Sequence, residues 1–172
     1  MKQITFCSIL VLITACSSQA KEWRGITPLH STRADVERLI GPPAMDHGDT
    51  VVYETDKERA SIEYSKGPCT GSAWSVPVNT VLNIWIAPHS IYVTDLKLNL
   101  LRYVKRRDPE LRHIVNYTDE QAGVRYQLDE SRHQMVTLIE YFPAARDKML
   151  KCTPSKPTKR RKSQRHLRTK QF

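Results

Sequence analysis

At 172 residues the chain has room for one domain, or two small ones, with tails. Its formal charge of +9 does not describe the body, because residues 154–172 carry Lys156, Lys159, Arg160, Arg161, Lys162, Arg165, Arg168 and Lys170 and no acid. With those and Lys2 set aside the remainder is neutral, which excludes a body that binds nucleic acid through net charge.

Lys2 is followed by an apolar run, Ile4 to Ala15, too short to cross a bilayer comfortably and closed by small residues, the anatomy of an export signal. Residues 1–20 are therefore expected to be a signal peptide or a lipoprotein signal. Ile13-Thr14-Ala15-Cys16 resembles the lipobox of bacterial lipoproteins, which implies lipidation of Cys16 as the mature N-terminus. Ser18 and Ala20 fit a competing small-x-small cut, and an uncleaved anchor is the third reading. All three place the body outside the cytoplasm: periplasmic, anchored at the outer membrane, or secreted. The mature body then keeps Cys69 and Cys152, and a lone pair in an oxidising compartment is expected to form a disulfide. Two free thiols are the alternative. Neither cysteine has a second cysteine or histidine at ligand spacing, so no metal is expected there.

Residues 21–153 are expected to be one α+β body. Trp23, Ile26 and Leu29 form an irregular lead-in. From Ser31 to Pro43 a short helix has both ends written in: Ser31 or Thr32 caps the start, Asp35 completes a capping box with Thr32, and Gly41-Pro42 stops it. Val36, Leu39 and Ile40 share one face. Asp46-His47-Gly48-Asp49 reads as a turn. Thr50 to Glu54, and Ala60, Ile62 and Tyr64, alternate as two strands. A loop from Ser65 to Asn79 carries Cys69 and Trp74. Thr80 to Ala87 is apolar on both faces and should be a central strand.

The second half repeats the pattern. Tyr117 to Tyr126 can be laid on Tyr53 to Tyr64, and Val136 to Pro143 matches Val81 to Pro88 in length, so units at 26–90 and 91–145 are one reading and chance alternation the other. Tyr92 to Arg107 should then hold a second helix, although Leu96, Leu98 and Leu100 also alternate like a strand. Ala144 to Leu150 favours a helical turn or two.

A helix entered through Ser/Thr, closed by Leu39-Ile40-Gly41-Pro42-Pro43 and followed by Tyr53, the strand around Ile62 and the strand around Ile84 resembles the BamE-like, or SmpA/OmlA-type, outer-membrane lipoproteins. That resemblance implies helices on one face of an antiparallel sheet. The doubled version resembles the β-lactamase inhibitor protein architecture, two tandem α-β-β-β units. More narrowly, Trp23-Arg24-Gly25-Ile26, Ser31-Thr32-Arg33, Gly67-Pro68-Cys69 and Cys152 resemble a group of uncharacterised exported bacterial proteins, which implies no activity.

Motifs for a nucleophile elbow, a phosphate loop, a zinc helix or a Cys-x-x-Cys site are missing, and His30, His47, His89, His113 and His133 are scattered singly. No catalytic residue, metal or cofactor is therefore assigned. The expected function is that of a non-catalytic envelope binding or scaffold protein, whose protein partner meets sheet or loop surface around Trp74 and Trp85. The alternative uses residues 154–172, expected to be disordered, to bind anionic lipid, glycan or nucleic acid through Lys159, Arg160, Arg161, Lys162, Arg165 and Arg168. Nucleic acid is the weaker of these, because no aromatic interleaves with the charges for base stacking.

Overall fold

The computed structural model describes residues 20–153. The expected leader, with Cys16, and the basic tail, with Lys159 to Arg168, lie outside the described residues.

The helix, α1, runs Arg33–Ile40. Thr32 Oγ1 accepts the Asp35 N–H, and the Asp35 carboxylate accepts the Thr32 N–H in return at 3.0 Å, so two orphan donors of the first turn are satisfied. The Thr32 N–H, its hydroxyl and Arg38 hold the Asp35 carboxyl down at about 2. Gly41 takes φ +102°, and Pro42 cannot continue the helix. Val36 is fully buried and Ile40 packs beside it. Leu39, expected on the buried face, is 45% exposed, because two turns bring only one stripe onto the sheet.

Among the described residues nine antiparallel strands follow: β1 (Met45–Asp46), β2 (Thr50–Glu54), β3 (Glu58–Tyr64), β4 (Val81–Pro88), β5 (Ile91–Tyr92), β6 (Val104–Arg107), β7 (Ile114–Asp119), β8 (Val124–Asp129) and β9 (Met135–Tyr141). They form one sheet in the order β1-β2-β3-β4-β9-β8-β7-β6, with β5 added against β9. The two meanders meet at a seam where Ile84 pairs Tyr141, Trp85 pairs Glu140 and Ile86 pairs Ile139.

This architecture corrects the α+β expectation. The protein is mainly β: among the described residues α1 is the single α-helix, and the other helical pieces are short 3-10 segments at Leu100–Arg102, Glu130–Arg132 and Ala145–Leu150. Two tandem α-β-β-β units would need a second helix between residues 92 and 107, and none forms there. Lys97 sits at φ +49°, which breaks any helical run, and Asn99 accepts the Leu101 N–H to cap a single 3-10 turn. Leu96, Leu98 and Leu100 turn toward the core while Lys97 and Asn99 face water. The period of two was real, but this strap has no strand to pair with and lies across the core as irregular chain.

Val36, Trp23, Ile26 and the strap cover one face of the sheet, against Val51, Ile62, Ile84, Tyr126 and Val136. A smaller cluster of Leu29, Val76 and Leu82, with Trp74 and Leu150 packed on it, fills one end. There Cys69 and Cys152 are joined by a disulfide, Cα atoms 5.7 Å apart and 83 positions apart in sequence. Backbone bonds from Ser75 N–H to Leu150 O and from Cys152 N–H to Ala73 O tie the same two segments.

Candidate binding surface

Pairing registers place one residue from each of eight strands on a single rung: Met45, Val52, Ser61, Trp85, Glu140, Arg125, Thr118 and Val104. Alternation along a strand puts this rung on the face opposite α1 and the strap. Across its middle the side chains form a chain of polar bonds. The Trp85 indole N–H donates to Glu140 Oε1 at 3.2 Å, and Arg125 Nη1 reaches Glu140 Oε2 at 2.8 Å. Trp85 is thereby held half-buried with its ring edge committed and the remainder of its surface available.

Trp74 occupies a different setting. It is bridged to Lys151 through the backbone, and the Lys151 ammonium stands 5.4 Å from its ring centroid. Together with Asn83, Phe142 and Lys148 it lines a cavity of about 390 Å³ beside the disulfide. Asn83 stands two residues from Trp85 on β4, and the Arg125 guanidinium lies 5.9 Å from the Phe142 ring centroid, so the Trp74 cavity borders the Trp85 row on the same face of the sheet.

A second cavity, about 290 Å³, lies at the far edge of the rung and is lined by Arg106, Asn116, Thr118, Glu120 and Arg125 together with the turn at Asp108-Pro109. Charge along β6 is paired unevenly. Lys105 and Arg107 share one carboxylate, Glu130, at 3.4 and 2.8 Å, and Arg107 foremost holds that carboxyl below the usual glutamate range. Arg106, between them, makes no ion pair among the described residues.

Several other titratable groups are held in local structural bonds. Asp46 accepts from Arg33 Nη2 at 2.5 Å and from the Gly48 N–H, and Asp49 pairs with Lys66, so each carboxyl lies below its ordinary range through its cation first. Asp119 and Asp129 accept backbone N–H groups of their own turns. His30 Nε2 lies 3.0 Å from Asp147 Oδ1, and Asp147 Oδ2 accepts the Ala144 N–H, which links the lead-in to the C-terminal segment. Among the described residues no three of His, Cys, Asp and Glu converge as a cation site.

Comparison with known proteins adds little to this geometry. No protein-family model matches the chain, and no curated protein matches it. Among solved structures, a DUF4309 family protein (YjgB) from Bacillus subtilis superposes with a TM-score of 0.45 at 14% identity, over 68% of this chain and 81% of that one. A likeness this slight establishes neither a shared fold nor a shared function, and the BamE-like resemblance gains no support from these comparisons.

Sequence reasoning missed the edge strand β6. Val104-Lys105-Arg106-Arg107 shows no apolar alternation, and the signal available was the run of cations itself, a common guard on a strand that ends a sheet.

Proposed function

We propose that the chain is an exported, non-catalytic envelope protein, a binding or scaffold module that meets a protein partner across the open face of its sheet. The observation that carries this reading is the Trp85–Glu140–Arg125 row: an aromatic and an ion pair, pre-ordered on a face that neither α1 nor the strap covers. Aromatics and arginine held in place beforehand lose little freedom on binding, which is what interface anchors require. Export is supported by the leader pattern of residues 1–20, by the Cys69–Cys152 bond, and by the residues that resemble exported bacterial proteins.

Two measurements test the reading. A photo-crosslinking side chain placed as Trp85→benzoylphenylalanine should yield a discrete adduct in intact cells, whereas Leu39→benzoylphenylalanine, on the helix side, should not. Equal yields, or none from Trp85, would reject the open face. Intact mass of the mature protein should correspond to a diacylglyceryl Cys16 or to a chain starting at Lys21; a mass that still includes residue 1 would reject cleavage.

A second reading is favoured by the confinement of charge to residues 154–172. Lys159, Arg160, Arg161, Lys162, Arg165 and Arg168 would hold an anionic surface, with salt-sensitive binding to phosphatidylglycerol vesicles that truncation after Pro154 abolishes. Unchanged binding on truncation rejects it.

A further inference from the structure

The reading above leaves open where on the sheet a partner adds, and the pairing geometry narrows this. We infer that the free edge of β6 is a strand-addition site for an acidic, extended segment of the partner; this rests on the binding-module reading.

β6 ends the sheet, with β7 on one side and no strand of the described residues on the other. The phase of its ladder follows from one bond just past its end, Asp108 N–H to Ile114 O at 3.0 Å. In an antiparallel pair the bonded positions alternate, so Arg106–Asn116 and Val104–Thr118 are also bonded pairs. The far side of β7 agrees, since the Glu130 N–H donates to His113 O and commits His113, Val115 and Tyr117 to β8. Lys105 and Arg107 therefore turn their N–H and C=O groups outward, to the free edge. The opposite edge offers less: β1 has two residues and follows Pro42 and Pro43, which have no N–H to give.

Charge selects the occupant. Lys105, Arg106 and Arg107 are all exposed, Glu130 answers two of them, and Arg106, beside the 290 Å³ cavity, makes no ion pair among the described residues. The cavity lining sets Arg106, Arg107 and Arg125 against Asp108 and Glu120, a surplus of one cation. A second copy of this chain adding edge to edge would set these cations against their own images, and like charges directly opposite are destabilising. An acidic strand reverses the sign of every one of those pairs. Its side chains on the open face would project over the cavity toward Arg106, while the main chain takes up the donors and acceptors of Lys105 and Arg107.

The test uses the mature protein and a fluorescent decapeptide of alternating valine and glutamate, with the valine–lysine peptide as control. The acidic peptide should bind, weaken with added salt, and raise amide-exchange protection at Lys105 and Arg107 but not at Arg106, already bonded to β7. Lys105→Ala removes the charge and keeps the N–H; Lys105→Pro removes both, leaves the β7 bonds untouched, and should bind about tenfold more weakly than Lys105→Ala. Arg106→Glu should also lose binding. No binding of the acidic peptide, equal affinity for Lys105→Ala and Lys105→Pro with no new protection at Lys105, or equal binding of the lysine peptide would each overturn strand addition. The crosslink from Trp85 would survive any of these if the broader reading holds, and its absence alone would count against that reading.

Discussion

Tyr53 and Tyr64 meet across β2 and β3 with their hydroxyl oxygens 3.0 Å apart, both rings in the interior. Arg33 of α1 stacks over the Tyr64 ring at 5.9 Å, so the pair sits where helix and sheet join. Removing one hydroxyl leaves the other buried without the partner it has here. Tyr53→Phe or Tyr64→Phe should each cost roughly 1–3 kcal/mol in urea unfolding, and the double replacement should cost less than either single one. Additive losses would show that each hydroxyl has another partner.

Five tyrosines are held neutral by burial. Tyr53, Tyr64, Tyr103 and Tyr126 are pushed above the ordinary phenol range, and Tyr141 is pushed up to about 12, desolvation being the first cause in each. Below about pH 10 both folded and unfolded chains keep these protons and the tyrosines add no pH dependence. Above that, the unfolded chain releases protons that the fold retains, so the unfolded state binds fewer and stability falls as pH rises. Tyrosinate absorbance and loss of the sheet signal in circular dichroism should therefore rise together past about pH 10. Ionisation of all the tyrosines ahead of unfolding would contradict their burial.

Local chemistry was the legible part of this fold. Thr32 with Asp35 and Gly41 with Pro42 mark α1 to within a residue or two, since caps depend only on neighbours in sequence. The alternation at Ala60, Ile62 and Tyr64, and the two-sided apolarity of Val81 to Ile86, likewise read directly as a half-buried and a central strand. Leu96 to Tyr103 was not legible, because a leucine every second residue describes which side faces the core and not whether a neighbour exists to pair with. The same holds for the candidate surface. Trp85 could be named, but its bond to Glu140 depends on β4 meeting β9, and the free edge of β6 depends on the whole strand order.

Gly123 is required by packing as well as by its backbone. It turns at φ +68°, and a Cβ there would stand 2.2 Å from the Phe142 carbonyl oxygen and 3.0 Å from the Ala144 nitrogen, both main-chain atoms that cannot swing aside. The same glycine accepts the Phe142 N–H at 2.9 Å, holding the end of β9 to the β7–β8 turn. Gly123→Ala should destabilise by more than the roughly 1–3 kcal/mol of a left-handed backbone alone. Gly48→Ala, with φ +84° and nothing within 4 Å of the added carbon, isolates the backbone part. Equal losses for the two variants in urea unfolding would remove the packing argument.

The Cys69–Cys152 bond encloses most of the sheet, from the loop before β4 to the last residues of the body. Its loss should act in two places. In the unfolded chain it frees a loop spanning 83 positions, for which chain entropy alone gives about 4–5 kcal/mol. In the folded chain it releases the segment that brings Leu150 onto Leu29, Val76 and Leu82, leaving the bonds at Ser75, Cys152 and His30–Asp147 to hold it. Cys69→Ser with Cys152→Ser should therefore lower the unfolding midpoint and, below that midpoint, raise amide exchange at Ser75 and Cys152→Ser while Ile62 and Ile84 in the main core stay protected. If exchange rises equally in both regions, the disulfide-tied end is not a separately opening part of the fold, and the bond acts through the unfolded chain alone.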